Sequence, residues 1–203
     1  MFQDSYVKLD KAQTKDLVEK LKSDFDGSQF DPASTVIMAR ELPFYKNSKF
    51  FDIADHKNMP PARRFVVMLG DQATILDFTN APIYGLNENA PVALNEKTVI
   101  DYARFFFSFV RGRHGRFIII ESVDDIQWRE EPPPAARKAI GKMVAPIQLE
   151  STENGVYRLG IHMMFKDSLF KSIVDIAPGG QVKILEETLL IEDIPVVDDT
   201  LGQ

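Results

Sequence analysis

The densest run of side chains able to do chemistry is Arg111-Gly112-Arg113-His114-Gly115-Arg116. Guanidinium groups suit bidentate binding of carboxylate or phosphate. The two glycines would let backbone come close to a ligand. The run follows a Phe-rich segment that reads as a helix, and a helix C-terminus presents carbonyls with a partial negative charge. That field argues against an anion site built on the helix dipole. It also accounts for the bases with no ligand at all, since cations stabilise a last helical turn.

Glu121, Asp124 and Asp125 follow an Ile-rich run close behind the arginines. A contact between His114 and Glu121 or Asp125 would give an imidazole–carboxylate pair for general acid–base work. Plain salt bridging between the two segments is the alternative. The candidate ligand-binding set is therefore Arg111, Arg113, His114, Arg116, Glu121 and Asp125. Catalysis has no support beyond these residue types, and whether the chain is an enzyme stays open.

His56, His114 and His162 are far apart in sequence, and there is no cysteine. Thiol catalysis, thiolate metal sites and disulfides are thus excluded. No His-Glu-x-x-His or Asp-rich calcium loop occurs, so no metal site is expected. Neither a phosphate-binding Gly-rich signature nor a Gly-x-Ser-x-Gly elbow is present, and no cofactor is expected. Trp128, in Asp125-Ile126-Gln127-Trp128-Arg129, could anchor an interface or lid a core edge. Phe105, Phe106, Phe107 and Phe109 could line an apolar pocket, or form core.

These residues need elements to hold them. Asp10 to Phe25 has helical spacing, with Leu17, Val18, Leu21 and Phe25 on one side, and Asp26-Gly27-Ser28 as its stop. Thr35 to Ala39 reads as a strand. Asn58-Met59-Pro60-Pro61 reads as a loop. Arg64–Leu69 and Ala73–Phe78 form a hairpin around Gly70-Asp71-Gln72, closed by Asn80-Ala81-Pro82, and Asn87–Pro91 is a polar connector. Asn95 then caps a helix that runs to a stop at Gly112 or Gly115. It is apolar except for a stripe of Asp101, Arg104, Ser108 and Arg111, in which Asp101 and Arg104 can pair. Such a helix must be covered nearly all round, by sheet or by another subunit.

Arg116 to Glu121 reads as a buried strand. Ala135 to Met143 reads as a short helix opened by Pro132-Pro133-Pro134. The last third is a meander: Tyr157–Phe165 alternates at period two, Lys166-Asp167 turns, Ser168–Ala177 returns, Pro178-Gly179-Gly180 turns, and Gln181–Ile191 closes. Gly70–Thr79 and Gly179–Thr188 match at five of ten positions, by duplication of a hairpin-bearing half or by convergence of two Gly-turn hairpins.

A chain of 203 residues and 23.0 kDa buries about 70% of its extended surface, so it can build its own core. Net charge is −6, with −2 over residues 1–99, +2 over 100–149 and −6 over 150–203. One short basic run in an acidic chain does not make a nucleic-acid stripe. Apolar stretches are far shorter than a bilayer span, and Met1–Lys8 lacks the features of a secretory signal, so a cytoplasmic location is expected.

The expected fold is α+β: an antiparallel meander-type sheet of six or more strands, with two or three helices packed mainly on one face. A single domain is expected over 1–195, with halves at about 1–112 and 113–195 if the hairpins are duplicates, and an acidic tail over 196–203. Three functions fit. The leading one is a non-catalytic protein that binds a partner protein or forms a homo-oligomer through the Phe-rich helix. The others are a small anionic-ligand binding protein or enzyme using the Arg/His cluster, and a carrier of an apolar ligand.

Overall fold

The computed structural model describes residues 6–25, 30–57 and 59–197. The chain divides into two compact units, one within residues 2–77 and 81–93, the other chiefly residues 94–203 with 78–80. Both are α+β with antiparallel sheets, as the strand and turn pattern predicts. The strands are shared between two sheets instead of forming one. Among the described residues no helix is long and apolar enough to cross a membrane.

The first unit contains β1 (Val7–Lys8), α1 (Lys11–Lys20), β2 (Thr35–Arg40), β3 (Ser48–Asp55), β4 (Ala62–Leu69), β5 (Gln72–Leu76) and α2 (Ala81–Asn89). Its strands lie in chain order, every neighbour antiparallel. Helix α1 starts where Asp10 and Gln13 close a capping box: Asp10 Oδ1 accepts the Gln13 N–H at 2.8 Å, and Gln13 Oε1 accepts the Asp10 N–H at 3.1 Å. It is shorter than its apolar spacing suggests. Leu21 and Phe25 lie in the turn beyond it, yet both are buried in a core with Val18, Ile37, Ile53 and Val66. Asp26-Gly27-Ser28 and Asn58 lie outside the described residues.

The second unit contains α3 (Thr98–Phe109), β6 (Phe117–Ile119), a 3₁₀ turn at Val123–Asp125, α4 (Pro134–Gly141), β7 (Gln148–Glu153), β8 (Val156–Phe165), β9 (Ser168–Ile176) and β10 (Val182–Ile191). The sheet order is β10-β9-β8-β6, with β7 also on β8. Asn95 caps α3 as expected, its Oδ1 accepting the N–H groups of Lys97 and Thr98 at 2.9 and 3.1 Å. The helix ends earlier than Gly112, because Val110 is already extended. Its apolar side is core, with Val99, Tyr102, Ala103, Phe105, Phe106 and Phe107 all buried.

Ring contacts from Phe107 to Phe117 and from Phe117 to Phe165 tie α3 to one face of this sheet. The Tyr102 hydroxyl adds a hydrogen bond to the Gly180 carbonyl at 2.7 Å. Strand parity puts Ile118, Met164 and Leu169 on the opposite face. There they pack with Ile120, Ile126, Ile140 of α4 and Ile194. Helices therefore lie on both faces of this sheet.

The two similar hairpins are β4–β5 and β9–β10. Their left-handed glycines are Gly70 (φ 60°) and Gly180 (φ 80°), one position out of step in the sequence match. The turns thus differ in build, and duplication is not confirmed.

Candidate functional site

Beyond Phe109 the chain leaves α3 extended and doubles back at once. Gly112 and Gly115 form an antiparallel bridge, so Arg111–Arg116 is a tight hairpin beyond the helix end and not its last turn. Gly115 has φ 145°, where side chains rarely go, and a Cβ there would meet the Phe165 ring at 3.1 Å. A side chain at this φ would be strained, and the Phe165 ring would have to give way to it. Arg111 is anchored by its N–H to the Phe78 carbonyl at 2.9 Å, and its guanidinium stacks on the Phe78 ring at 4.0 Å from the centroid.

The hairpin forms one side of a cavity of about 710 Å³. The floor is apolar: Ile118, Ile120, Ile126 and Met164. Around it stand Arg111, Arg113, Arg116, Arg129, Lys166 and His114. Among the described residues that line it, two carboxylates, Asp125 and Asp167, stand against these five full positive charges. The described lining is thus net positive in a chain of net charge −6.

The far wall is a strap made by the end of the chain. Ile194 N–H bonds the Asp167 carbonyl, Arg129 N–H bonds the Pro195 carbonyl, and Val197 N–H bonds the Gln127 carbonyl, each at 2.9 Å. Trp128 and Val196 face each other in an antiparallel bridge. Residues 196 and 197, expected in an acidic tail, are thus paired backbone, and 198–203 lie outside the described residues. Trp128 lids a core edge against the Ile120–Met164 cluster. Its buried indole N–H has no hydrogen-bond partner among the described residues.

Of the six candidates read from the sequence, Arg111, Arg113, His114, Arg116 and Asp125 line this cavity, and Glu121 does not. Glu121 instead takes a fork from Arg104, Nε and Nη2 donating at 2.9 and 2.8 Å, and also accepts the Ile147 N–H at 3.3 Å. Burial by itself would raise its carboxyl. The Arg104 hydrogen bonds and charge, helped by Ile147, outweigh that and hold it below the ordinary range. Arg104 also meets Asp101 at 3.1 Å, the pairing predicted from their spacing. These residues lock α3 to the segment after β6 and serve the fold.

Asp125 caps the 3₁₀ turn, its Oδ2 accepting from the N–H groups of Glu121 and Ser122 at 3.0 and 2.8 Å. Among the described residues no hydrogen bond joins His114 to Glu121 or Asp125, so the acid–base pair does not form in this geometry. Nor, among those residues, do three or more His, Asp or Glu cluster to hold a metal.

The arginines divide by location. Arg63 pairs with Asp52, Arg104 with Glu121, Arg137 with Asp124 and Glu131, and Arg158 with Asp175. None of these four lines the cavity. Arg113 and Arg129 do, and among the described residues neither has a carboxylate partner. Arg129, Lys166 and the strap were not found from the sequence. One usable signal was the period-two alignment of Arg116 with Ile118 and Ile120, which sets an arginine and two apolar side chains on one strand face. The strap carries no such periodicity.

His162, two residues from Met164 on β8, is half-buried with Nδ1 accepting the Ala145 N–H at 3.3 Å. Burial lowers its pKa, the Ala145 carbonyl, 3.4 Å from the same nitrogen, raises it, and Lys171 opposite lowers it again; the net shift is downward. A His with a depressed folded pKa contributes stability present above the unfolded value of about 6.5 and lost as pH falls through the lower folded value. Stability should therefore decline with acidification from about pH 6.5. In His162→Gln the slope of urea midpoint against pH just below that point should be shallower than in wild type. Equal slopes would show that His162 titrates as it does unfolded.

Comparison with protein-family models, curated proteins and solved structures returns no match.

Proposed function

We propose that this chain is a binding protein for a small anionic ligand, held in the cavity between the Arg111–Arg116 hairpin and the 194–197 strap. The observation that carries this is the pair Arg113 and Arg129, two guanidinium groups brought to one cavity from different segments with no carboxylate partner among the described residues. A guanidinium satisfies its fork of donors best on a carboxylate or phosphate. The volume falls within the range of small-molecule sites, and an apolar floor with a few polar groups is their usual build. The Phe-rich helix that motivates the partner-binding reading has its apolar side occupied as core. None of Phe105–Phe109 lines the cavity, so an apolar-ligand carrier would need a different lining from the one expected.

The test is anion-dependent thermal stabilisation. A ligand at ten times its dissociation constant stabilises by about 1.4 kcal/mol. For a unit of this size that is several degrees in Tm. Inorganic phosphate should raise the melting temperature above that in chloride of equal ionic strength, and the Arg113→Ala/Arg129→Ala variant should lose most of the difference. An equal phosphate effect in wild type and variant would overturn the reading.

A further inference from the structure

Two guanidinium groups reach the cavity from separate segments. Arg113 lies at the tip of the hairpin, between the bridged Gly112 and Gly115. Arg129 is held to the strap, its N–H bonded to the Pro195 carbonyl at 2.9 Å. Among the described residues no backbone hydrogen bond joins the hairpin to the strap or to residues 127–129, so these are separate walls.

The planar fork of each guanidinium fits one carboxylate, and two forks on two walls ask for two carboxylates. Phosphate sites recruit backbone N–H groups as well. Here five such donors on the walls are spent. The N–H groups of Arg111, Gly115, Arg129, Val196 and Val197 bond the carbonyls of Phe78, Gly112, Pro195, Ile194 and Gln127. With those donors occupied, recognition falls to side-chain forks, which favours the planar anion.

The floor limits what can lie between the charges. Ile120 and Met164 are only 1% and 3% exposed, packed with Ile126, Ile140 and Ile194. No deep apolar slot is left for a long tail, whereas half-buried Ile118 can meet a short one.

We infer that the ligand is a short aliphatic dicarboxylate that bridges the two walls, one carboxylate on Arg113 and the other on Arg129. This rests on the anion-binding reading and adds the number and chemistry of the ligand's anionic groups. A dianion also suits the net positive charge of the described lining better than a monoanion does. Bridging has a signature in chain length. Once one carboxylate is held, the second binds intramolecularly, and the gain is greatest when the linker matches the span.

The experiment is calorimetric titration of wild type with malonate, succinate, glutarate, adipate and pimelate, at neutral pH and constant ionic strength. Trp128 fluorescence, one residue from Arg129, gives a second readout. Affinity should pass through a single maximum within the series. The best diacid should bind at least about tenfold tighter than its own monomethyl ester, and tighter than inorganic phosphate. Arg113→Ala and Arg129→Ala should each bring that diacid down to the affinity of the ester in wild type, and flatten the dependence on chain length.

An ester as tight as the diacid, an affinity indifferent to chain length, or phosphate tighter than every diacid would overturn the bridging ligand and leave the anion site standing. A maximum that survives either substitution would overturn the assignment of the two arginines. Failure of phosphate and every diacid alike would overturn both readings. Both arginines are exposed, so unchanged melting temperatures of the unbound variants show that a loss is one of binding.

Discussion

Asp55→Ala is expected to lose about 3 kcal/mol of stability, among the largest effects of any polar substitution in the chain. Asp55 ends β3 and is only 3% exposed. Its Oδ2 accepts the Asp31 N–H at 2.8 Å, and its Oδ1 accepts the Ser34 hydroxyl at 2.6 Å and the Lys57 N–H at 2.8 Å. One carboxylate thus closes the turn into β2 and the exit from β3. Hydrogen bonds to a charged group contribute about 1.5–3 kcal/mol each, reduced when water replaces the lost acceptor. Asp55→Asn separates charge from shape. An amide oxygen at Oδ1 keeps Ser34 and Lys57, while its NH₂ meets the Asp31 N–H donor head-on, so about half the loss is expected.

The pH dependence follows from the same contacts. Burial would raise the Asp55 carboxyl, but Ser34 and the backbone N–H groups of Asp31 and Lys57 together hold it below the usual range. Its contribution is present above the unfolded value of about 3.9 and disappears as pH falls through the lower folded one. Hydrogen exchange of β2 and β3 amides in urea gives the stability of this unit. A variant as stable as wild type at pH 7, or one that keeps the wild-type loss below pH 4, would refute the assignment.

Where the sequence was legible, a local rule and the tertiary demand agreed. β8 alternates at period two, and β8, β9 and β10 are joined by turn residues, so their bounds come close to the structure. The β4–β5 hairpin has Gly70 at a left-handed position, and α3 has Asn95 at its start. β1, β3, α2 and β7 were missed, and in two of them local chemistry pointed elsewhere. β3, Ser-Lys-Phe-Phe-Asp-Ile-Ala-Asp, contains two aspartates, which strands disfavour. Pairing on both sides, with β2 and β4, holds it in place. α2 contains Pro82, Gly85, Asn87 and Asn89, poor helix formers all. It is held by burial of Ile83 and Leu86, and by the Tyr45 hydroxyl donating to Asn87 Oδ1.

The site divides in the same way. The Arg111–Arg116 cluster is contiguous and visible. Arg129 joins it through the bridge of Trp128 to Val196, and Lys166 through the pairing of Phe117 with Phe165, contacts between segments some seventy and fifty residues apart that no local pattern announces. Glu121 was grouped with the site by nearness in sequence. The stripe of Asp101 and Arg104 on α3 was the competing signal, and the structure pairs Glu121 with that stripe.

Phe105→Ala should be costlier still, about 3–5 kcal/mol. Phe105 is 1% exposed and packs on Phe109 at 5.2 Å between ring centroids, in a helix whose buried side also carries Tyr102, Phe106 and Phe107. Truncation removes the transfer free energy of the ring and leaves a cavity that a rigid helix cannot refill. Phe105→Leu keeps most of the volume and should cost under half as much. Ser108→Ala, on the exposed stripe of the same helix, loses only a hydroxyl that bonds back to the Arg104 carbonyl at 2.7 Å, and should be nearly neutral. Urea unfolding followed by Trp128, the one tryptophan in the chain, reads out the second unit. The ordering bears on function, because the partner-binding reading needs an apolar side of α3 that the fold does not use. If Phe105→Ala were to cost less than about 1 kcal/mol, well below a core truncation, that side would not be core. The helix would then be available to a partner, and the case for the anion cavity over a partner surface would weaken with it.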